Sequence, residues 1–463
     1  MKKTKIVCIG AGSFSFGLST LVTLLQSEAL KGCEIALVDH DPQALETISQ
    51  LAQWLNQVWG SEKNISSFSN RREALSNADF VISAIEVTPR EELWEKDFQI
   101  TLKHGLRQPY AENGGPGGFA HAARNIIPVL DIAYDMEELC PEALFINFTN
   151  PMARICAAIH RFSKIKVVGL CHQLGAGYAM AGKALANDLG LHSADAFLST
   201  HASIENHEPM AIMGFQAHDK LKILAAGLNH FTWMLDIRNR ETGEDLYPLF
   251  RKRWQELNPN FEPLTRAVFN AFELFPIPGD EHLCEYLPWM TNSTSKPWEK
   301  YDISLYDWNE RENARTQEWN RIRQILVTKE NPDQFANVFS EGAREIIEAT
   351  LINGDVLWEA VNIPNRGYIS NLPNDSIIEL PGLINARGIT GIPITTLPDA
   401  IAELLRREIT CSELCVDASF YGDRQLALQC LLLDPMINDI DMAKNILDDY
   451  LVSYRELLPQ FWE

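Results

Sequence analysis

The stretch KIVCIGAGSFSFG, residues 5–17, decides the fold of this chain. Its first five residues are an apolar run that predicts a buried strand, and glycines follow at Gly10, Gly12 and Gly17. An apolar pattern of helical period covers residues 16–30, so the glycines lie in a turn between a strand and a helix. This arrangement is typical of the first unit of a dinucleotide-binding sheet, in which a pyrophosphate lies at the helix N-terminus.

The end of the second predicted strand, residues 34–41, supports the same interpretation. Asp39 follows the glycine turn by about twenty residues, where a carboxylate suits ribose hydroxyls and repels a 2′-phosphate. Alternatively, Asp39 only caps the helix that begins at Pro42. The glycine spacing, G-x-G-x-x-x-x-G, is longer than the common fingerprint. The sequence therefore predicts that NAD is bound by Gly10, Gly12, Ser13, Asp39 and Glu86.

Strand and helix patterns alternate through the rest of the first part of the chain. The apolar patterns predict helix 42–60, strand 78–87, a helical region that ends near Leu139, and strands 143–151 and 166–172. Such alternation predicts a doubly wound parallel sheet of the Rossmann type, with helices on both faces. Its ligand crevice would lie beyond the carboxyl ends of the strands.

The second part of the chain is less regular. Apolar runs predict antiparallel strands around 209–240, a strand–turn–strand unit at 361–384 and a helical bundle from about Pro398. We therefore predict an α/β fold in two parts. A Rossmann-type NAD-binding domain would cover residues 1–195, and a mixed, helix-rich domain that binds substrate and metal would cover 196–463.

Composition limits the classes of function. The net charge of −22 excludes a nucleic-acid partner, because phosphate binding needs a basic face. Nine irregularly spaced cysteines predict reduced thiols in a cytoplasmic protein. The apolar stretch at the N-terminus is too short for a signal peptide, and we find no apolar run long enough to span a membrane. A homodimer or homotetramer is the general expectation.

The stretch GLCHQLGAG, residues 169–177, places Cys171 and His172 just past a predicted strand. Three interpretations are open: a metal site, a nucleophile with His172 as its base, or a tight turn around a buried thiol. Neighbouring strand residues point to opposite faces, which disfavours the second. His230 also follows an apolar run, in GLNHFTW, 59 residues further on (230 − 171). Thiolate and imidazole suit a borderline divalent metal, and two protein ligands leave positions open for substrate oxygens.

Two further segments concentrate polar residues. In NFTNP, residues 147–151, the side chains of Asn147, Thr149 and Asn150 suit sugar hydroxyls or only fix a turn. In PIPGDEHLCEYLPW, residues 276–289, acids and a histidine follow a rigid turn, which suits proton transfer or only starts a helix. The pair in CSELC, residues 411–415, is expected to consist of core thiols.

Taken in order, these motifs resemble the NAD- and metal-dependent glycosidases of glycoside hydrolase family 4. The resemblance rests on GAGS, GPGG with ARNIIP, NFTNPM, GLCH, GLNHFTW, GDEHLCEY and NRGYISNLPNDSIIELP, and it covers nearly the whole chain. It implies a fold similar to that of lactate and malate dehydrogenases. It also implies an unusual hydrolysis: oxidation at carbon 3 of the sugar by NAD, deprotonation at carbon 2, elimination of the aglycone, addition of water and return of the hydride. A divalent metal, usually manganese, chelates the oxygens on carbons 2 and 3.

The resemblance also implies roles for individual residues. Cys171 and His230 correspond to the metal ligands, His172 to an acid or a sugar contact, and Asp280 to the base, with Tyr286 as a fallback. Substrate contacts are expected from Asn150, Arg124 and Asn229. The string Cys-His-Gln-Leu, with Gln173 third, departs from the subgroup patterns of the family, but Cys-His accompanies unphosphorylated substrates. The predicted substrate is therefore a small α-glycoside of galactose, glucose or a uronic acid. The alternative is a simple NAD-dependent dehydrogenase of a sugar or hydroxy acid.

Overall fold

The computed structural model describes residues 3–13, 17–109, 112–191, 207–305, 307–336 and 341–463. Within these ranges the strands form one sheet of twelve. They are β1 (Lys5–Ile9), β2 (Glu34–Val38), β3 (Asn64–Phe68), β4 (Phe80–Ser83), β5 (Leu144–Asn147), β6 (Lys166–Gly169), β7 (Leu221–Leu228), β8 (Phe231–Asn239), β9 (Phe275–Pro276), β10 (Val356–Pro364), β11 (Ile377–Asn385) and β12 (Gly388–Gly391).

The described helices surround this sheet. They are α1 (Gly17–Gln26), α2 (Pro42–Val58), α3 (Arg71–Leu75), α4 (Arg90–Lys103), α5 (Gly115–Leu139), α6 (Met152–Phe162), α7 (Gln173–Leu189), α8 (His207–His218), α9 (Tyr247–Glu256), α10 (Pro263–Phe272), α11 (Gly279–Leu283), α12 (Pro297–Lys300), α13 (Trp308–Thr328), α14 (Ala343–Ile352), α15 (Asp399–Tyr421), α16 (Arg424–Leu433) and α17 (Ile440–Ser453). Short 3₁₀ helices lie at Pro332–Phe335 and Pro459–Phe461. None of the described helices is both long and apolar enough to cross a membrane.

The first six strands are parallel and lie in the order β3-β2-β1-β4-β5-β6. This is the strand order of a Rossmann sheet, so the predicted fold class is confirmed. The order reverses between β1 and β4, and the loops after these two strands separate there to leave a crevice. The glycine turn after β1 lies at this reversal point.

The same sheet continues into the second part of the chain. Asn362 of β10 pairs antiparallel with Gly169 at the end of β6, and Glu379 of β11 pairs with Gly227 of β7. These pairings carry the sheet across to the hairpin of β7 and β8. The end of β6 and the tip of that hairpin are thereby brought close together, although they are distant in sequence.

Apolar side chains cover both faces of the parallel half. One buried cluster joins α1 and α2 to the sheet, through residues such as Leu21 and Leu51. The other joins α5 and α6 to α15, α16 and α17, with Phe119 and Ile155 packed in the same cluster as Cys415. Cys411 and Cys415 are both fully buried, as expected of core thiols. The last helices therefore cover a face of the N-terminal sheet.

Two sequence predictions of local structure differ from the structure. Residues 209–218, predicted as a strand, belong to helix α8, because Met213 and Ala217, one turn apart, pack against Gly182 of α7. Strand β3 was not predicted, because its sequence NISSF is polar and half exposed at the sheet edge. The predicted boundary between residues 195 and 196 lies outside the described residues.

The buried carboxyl group of Asp434, next to Gly115 at the start of α5, makes the stability of the fold depend on pH. Burial, and then the charge of Glu408, raises the pKa of Asp434 to about 7. The folded state therefore holds this proton more tightly than the unfolded chain, and stability falls as pH rises between about 4 and 7, by about 2–4 kcal/mol. We expect Asp434→Asn to remove most of this dependence, measured as the free energy of unfolding in urea at pH 5 and pH 8. The exposed Asp448→Asn is the control. Equal pH dependence in all three proteins would contradict the expectation.

Candidate functional site

The glycine turn after β1 forms the floor of the crevice. Gly10 has φ +77°, and a Cβ there would lie 2.4 Å from the carbonyl oxygen of Ala84, which follows β4. A Cβ on Gly12 would lie 2.6 Å from the Cβ of Ala44 in α2. Only glycine fits both positions, because backbone and helix approach so closely. The turn therefore has the tight geometry that a dinucleotide site requires.

Above this turn lies a cavity of about 1330 Å³. Its lining includes all five residues predicted to contact the cofactor: Gly10, Gly12, Ser13, Asp39 and Glu86. Small-ligand pockets commonly enclose about 300–1,000 Å³, so the space is ample for an extended molecule. The residues present therefore fit a dinucleotide.

The carboxylate of Asp39 is fixed by the backbone around it. Its oxygens accept the N–H groups of Gly12 at 2.8 Å and Asp41 at 2.9 Å. The N-cap of α2 is Asp41, whose side chain accepts from Gln43 and Ala44. The alternative that Asp39 caps this helix is therefore wrong. Asp39 instead joins the glycine turn to the end of β2, at the wall of the cavity.

A second site lies where β6 ends. Cys171 lies two residues before α7, which begins at Gln173, and the backbone N–H of Gln173 opposes the rise in the pKa of the Cys171 thiol. The side chain of Asn229 opposes that rise as well, while its Nδ2 donates to Glu379 at 2.8 Å. Cys171 is thus held between a helix N-terminus and the β7–β8 hairpin.

His230 lies at the tip of that hairpin. Leu228 pairs with Phe231, so only Asn229 and His230 form the turn, and His230 has φ +59°. This left-handed conformation is uncommon for a residue other than glycine and is maintained by the surrounding structure. It brings His230 Nε2 to 3.4 Å from Cys171 Sγ. The structure therefore brings the two predicted metal ligands together.

Electrostatics at this pair favour a cation. Burial, followed by the charges of Glu341 and Glu379, holds the pKa of the Cys171 thiol well above its usual value. Burial and the neighbouring histidines, His282 and His172, hold the pKa of His230 well below its usual value, so its ring is neutral. A neutral imidazole offers a lone pair, and a bound divalent metal would release the thiol proton. The donor set fits such an ion.

Carboxylates and a second histidine complete the surroundings. Ligand atoms of Glu112, His230 and His282 lie within 4.8 Å of one another. The rings of His230 and His282 stack at 4.1 Å, and His282 Nδ1 lies 2.8 Å from Glu285. Burial lowers the pKa of His282, but the hydrogen bond and charge of Glu285 outweigh it and raise that pKa to about 9. His282 is therefore a cation beside Glu112 and His230. Together with Cys171, these three residues form the candidate metal cluster.

The loop before α5 contributes residues that the sequence did not single out. Asn113 Nδ2 lies 2.6 Å from His230 Nδ1, and the backbone N–H groups of Asn113 and Gly114 donate to Glu285 at 2.6 and 3.0 Å. A Cβ on Gly114 would lie 2.4 Å from the carbonyl oxygen of Glu285. The glycine-rich loop thus holds both His230 and the partner of His282 in place.

His172 faces the same space from the other side. Its Nδ1 lies 2.6 Å from Glu341 Oε1, and the charge of Glu341 raises the pKa of His172. Cys171, His172 and Glu341 form a second group of potential ligands within 4.8 Å. Gln173 is 4 % exposed, and both polar atoms of its side chain are without a hydrogen bond among the described residues.

The asparagines of NFTNP separate into two roles. Asn147 and Thr149 are buried, and Asn147 Nδ2 donates to the carbonyl of Thr149, so this pair fixes the turn after β5. Asn150 lies in the cluster, where its Nδ2 donates to Glu112 at 3.0 Å. The structure therefore places the predicted substrate contact Asn150 beside the candidate metal ligands.

The structure places Asp280, which was predicted to be the base, at the N-terminus of α10. Its carboxylate is fully buried and accepts the backbone N–H groups of Leu264 at 2.9 Å and Thr265 at 2.6 Å, at the start of α10. Its own N–H donates to Glu262. Both oxygens thus serve a helix N-terminus. Tyr286, the fallback, lies in the core and stacks on Phe231 with ring centroids 4.7 Å apart.

Arg124, predicted to contact substrate, lies in a buried ion pair. Its guanidinium is 1 % exposed and binds Asp97 through two hydrogen bonds of 2.9 and 2.7 Å. It also lies over the ring of Tyr454. This buried ion pair joins α4 and α5 to the C-terminal segment, so Arg124 holds the fold together.

The crevice and the thiol–imidazole pair lie at strand ends of one sheet, which defines an α/β protein of the dinucleotide-binding class with a candidate metal centre. Residues 5–186 match the sequence profile described as "Family 4 glycosyl hydrolase", and residues 225–437 match that family's C-terminal domain. The chain belongs to glycosyl hydrolase family 4, and its activity class is glycoside hydrolysis.

Individual relatives align over almost the full chain. An alpha-glucosidase of Erwinia rhapontici is 30 % identical, over 96 % of this chain and 96 % of its own. An alpha-galactosidase of Bacillus subtilis (strain 168) is also 30 % identical, over 99 % of each chain. Among solved structures, a 6-phospho-alpha-glucosidase from gut microorganisms, in complex with NAD and Mn²⁺, superimposes with a TM-score of 0.79 at 20 % identity, over 99 % of this chain and 100 % of its own.

Proposed function

We propose that this chain hydrolyses a small, unphosphorylated α-glycoside, with NAD and a divalent metal such as Mn²⁺ as cofactors. The observation that carries the proposal is the 3.4 Å approach of Cys171 Sγ to His230 Nε2, on the sheet that also holds the glycine crevice. Two relatives are named alpha-glucosidase and alpha-galactosidase, and the solved 6-phospho-alpha-glucosidase contains NAD and Mn²⁺.

Bound NAD would supply a reversible hydride acceptor, and the metal a Lewis acid for the sugar oxygens. In our proposal Cys171 and His230 hold the metal, Asp39 contacts the ribose, and the glycine turn admits the pyrophosphate. The side-chain amide of Asn113 lies 2.6 Å from His230 Nδ1. With the amide oxygen in that position, Asn113 would accept the Nδ1 proton and leave the Nε2 lone pair for the metal. Metal ligands of this kind depend on such partners for their orientation.

Two groups at the cluster are suited to proton transfer. The charge of Glu341 raises the pKa of His172, so this imidazole holds its proton more tightly than a free one and could donate it to the departing oxygen. Glu112 lies beside the cationic His282 and could accept a proton from the sugar. These assignments replace Asp280, whose oxygens are occupied by backbone N–H groups.

The charge of the cluster supports a neutral sugar. Glu112, Glu285, Glu341 and Glu379 are buried around the Cys171–His230 pair. A phosphate or a carboxylate on the substrate would add negative charge to an enclosed region in which four carboxylates outnumber the cationic His282, which is costly. We therefore place glucosides and galactosides ahead of uronides and phosphosugars.

The test is removal of both cofactors. We expect protein that is stripped of NAD by gel filtration and of metal by EDTA to lose at least about 100-fold of its hydrolysis of p-nitrophenyl α-glucoside or α-galactoside. Mn²⁺ and NAD⁺ added together should restore the rate, with NAD⁺ in an amount far below that of the substrate. No net NADH should form, because the hydride is returned to the sugar. Hydrolysis that persists after complete removal would contradict the proposal. NADH formed in proportion to substrate consumed would instead indicate a dehydrogenase.

A further inference from the structure

Helix α13 forms one wall of the dinucleotide cavity, although it belongs to the second half of the chain. Five of its residues line the cavity: Glu312, Arg315, Thr316, Trp319 and Arg323. Their offsets of 3, 4, 7 and 11 residues place them on one face of the helix. Another face, with Ile322 and Leu326, is buried in the apolar core. The cavity face is therefore held rigidly by the packing behind it.

The path of α13 across the cavity follows from its two ends. Arg315 lies 3.2 Å from Glu91 in the first turn of α4, and Lys329, just past the end of α13, lies over the ring of Trp54 in α2. Arg323 lies eight residues after Arg315, about 12 Å along the helix axis. It is therefore on the α2 side of the cavity, which it shares with Asp39.

Most arginines that line the cavity already have an acidic partner. Arg71 and Arg72 bind Asp135, and Arg315 binds Glu91. Arg323 differs. Among the described residues it forms no ion pair; its one hydrogen bond goes to the amide oxygen of Asn320, and its Nε is buried without a partner.

A buried guanidinium nitrogen without an acceptor is unfavourable unless a ligand supplies one. Arginine binds phosphate groups well, because its donors form a planar fork. The charge of Asp39 on the same side disfavours a 2′-phosphate. The remaining anionic group of a dinucleotide is its pyrophosphate.

We propose that Arg323 binds the pyrophosphate of the dinucleotide, so that the second half of the chain contributes a cofactor-binding residue. This inference rests on the proposed use of NAD. Arg323 contacts the cofactor from the wall that α13 forms, and the glycine turn after β1 contacts it from the other wall of the cavity. Trp319, one helical turn earlier on the same face, reports occupancy through its fluorescence.

The test is ligand binding by isothermal titration calorimetry, with NAD⁺, ADP and adenosine as the probes. We expect Arg323→Gln to weaken NAD⁺ and ADP about tenfold, as for loss of a charged hydrogen bond, and to leave adenosine unchanged. Arg323→Lys should recover part of the loss. The control is Arg321→Gln, on the same helix, because Arg321 binds Glu318 and does not line the cavity. It should bind all three ligands as the unmodified protein does.

Several results would overturn the proposal. Unchanged NAD⁺ and ADP binding in Arg323→Gln would refute it while the proposed function stood. Equal weakening of adenosine would mean that Arg323 only shapes the cavity. NADP⁺ is titrated as a fourth ligand, and a larger loss for NADP⁺ than for NAD⁺ would assign Arg323 to a 2′-phosphate instead. If the unmodified protein bound neither NAD⁺ nor ADP, the proposed cofactor itself would be wrong.

Discussion

Replacing Cys171 with serine should abolish metal-dependent hydrolysis and leave the fold and NAD⁺ binding intact. A hydroxyl is a much poorer ligand than a thiolate for a borderline divalent metal, and it cannot be deprotonated at neutral pH. Even indirect partners of a metal ligand commonly contribute 10–100-fold to affinity, so loss of a direct ligand should exceed about 100-fold in rate. The measurements are hydrolysis of p-nitrophenyl α-glycosides with NAD⁺, Mn²⁺ and a thiol reductant, and Mn²⁺ affinity by electron paramagnetic resonance.

The matched control is Cys140→Ser. Cys140 is also a free thiol, but it is buried at the end of α5 in the apolar core. Its replacement should change stability and leave Mn²⁺ affinity unchanged. If Cys171→Ser kept its Mn²⁺ affinity and turnover, the thiol would not be a ligand. The alternative metal group would be His230 with Glu112 and with His282, which would have to release its proton to the solvent on metal binding.

The sequence identified the parallel half of the fold because that half is simple in physical terms. Its strands are buried on both faces and appear as short apolar runs, such as residues 5–9 and 144–147, each followed by turn residues and a helix. The sequence predictions of local structure were wrong where a strand is not an apolar run or where a helix is rich in apolar residues. Strand β3 is a polar edge strand, and α8 has enough apolar residues to resemble a strand.

At the site, the sequence identified the two residues whose side chains are typical metal ligands. It missed the residues whose types are common in loops. Cys171 and His230 were recognisable because thiol and imidazole each follow an apolar strand. Glu112, Asn113 and Glu341 were not recognisable, because single acids and amides in loops are common and nothing in their spacing shows that these three meet around the Cys171–His230 pair. The one available signal was the glycine run after Asn113, where Gly114 admits the backbone of Glu285.

One hydrogen-bonded chain connects the two halves of the site. Glu86, at the cavity wall, lies 2.8 Å from His121 Nε2, and His121 Nδ1 lies 2.7 Å from the carbonyl oxygen of Glu112. Glu112 in turn accepts from Asn150. The cofactor crevice and the metal cluster are therefore positioned by shared contacts at the start of α5, which suits a reaction that needs both groups on one sugar ring.

Asp280→Ala separates a structural acid from a catalytic one. Because the carboxylate accepts two backbone N–H groups at the start of α10, we expect its removal to lower the free energy of unfolding by about 2–4 kcal/mol, about 1–3 for each orphaned donor less partial relaxation. Turnover per folded molecule, measured well below the lowered melting temperature, should stay within about threefold. The control is Glu281→Gln, the adjacent acid, which should change stability much less.

A catalytic role for Asp280 would give the opposite result for Asp280→Ala. A general base contributes about 10²–10⁴-fold to rate, and its loss need not change stability. If Asp280→Ala unfolded at the usual temperature but lost turnover by that factor, the side chain would have to leave Leu264 and Thr265 during the reaction, against two hydrogen bonds in a fully buried position. Burial raises the pKa of Asp280, and the neighbouring Glu262 and the backbone N–H groups oppose that rise. An acid held in this way is suited to fixing the start of a helix and poorly suited to exchanging a proton with substrate.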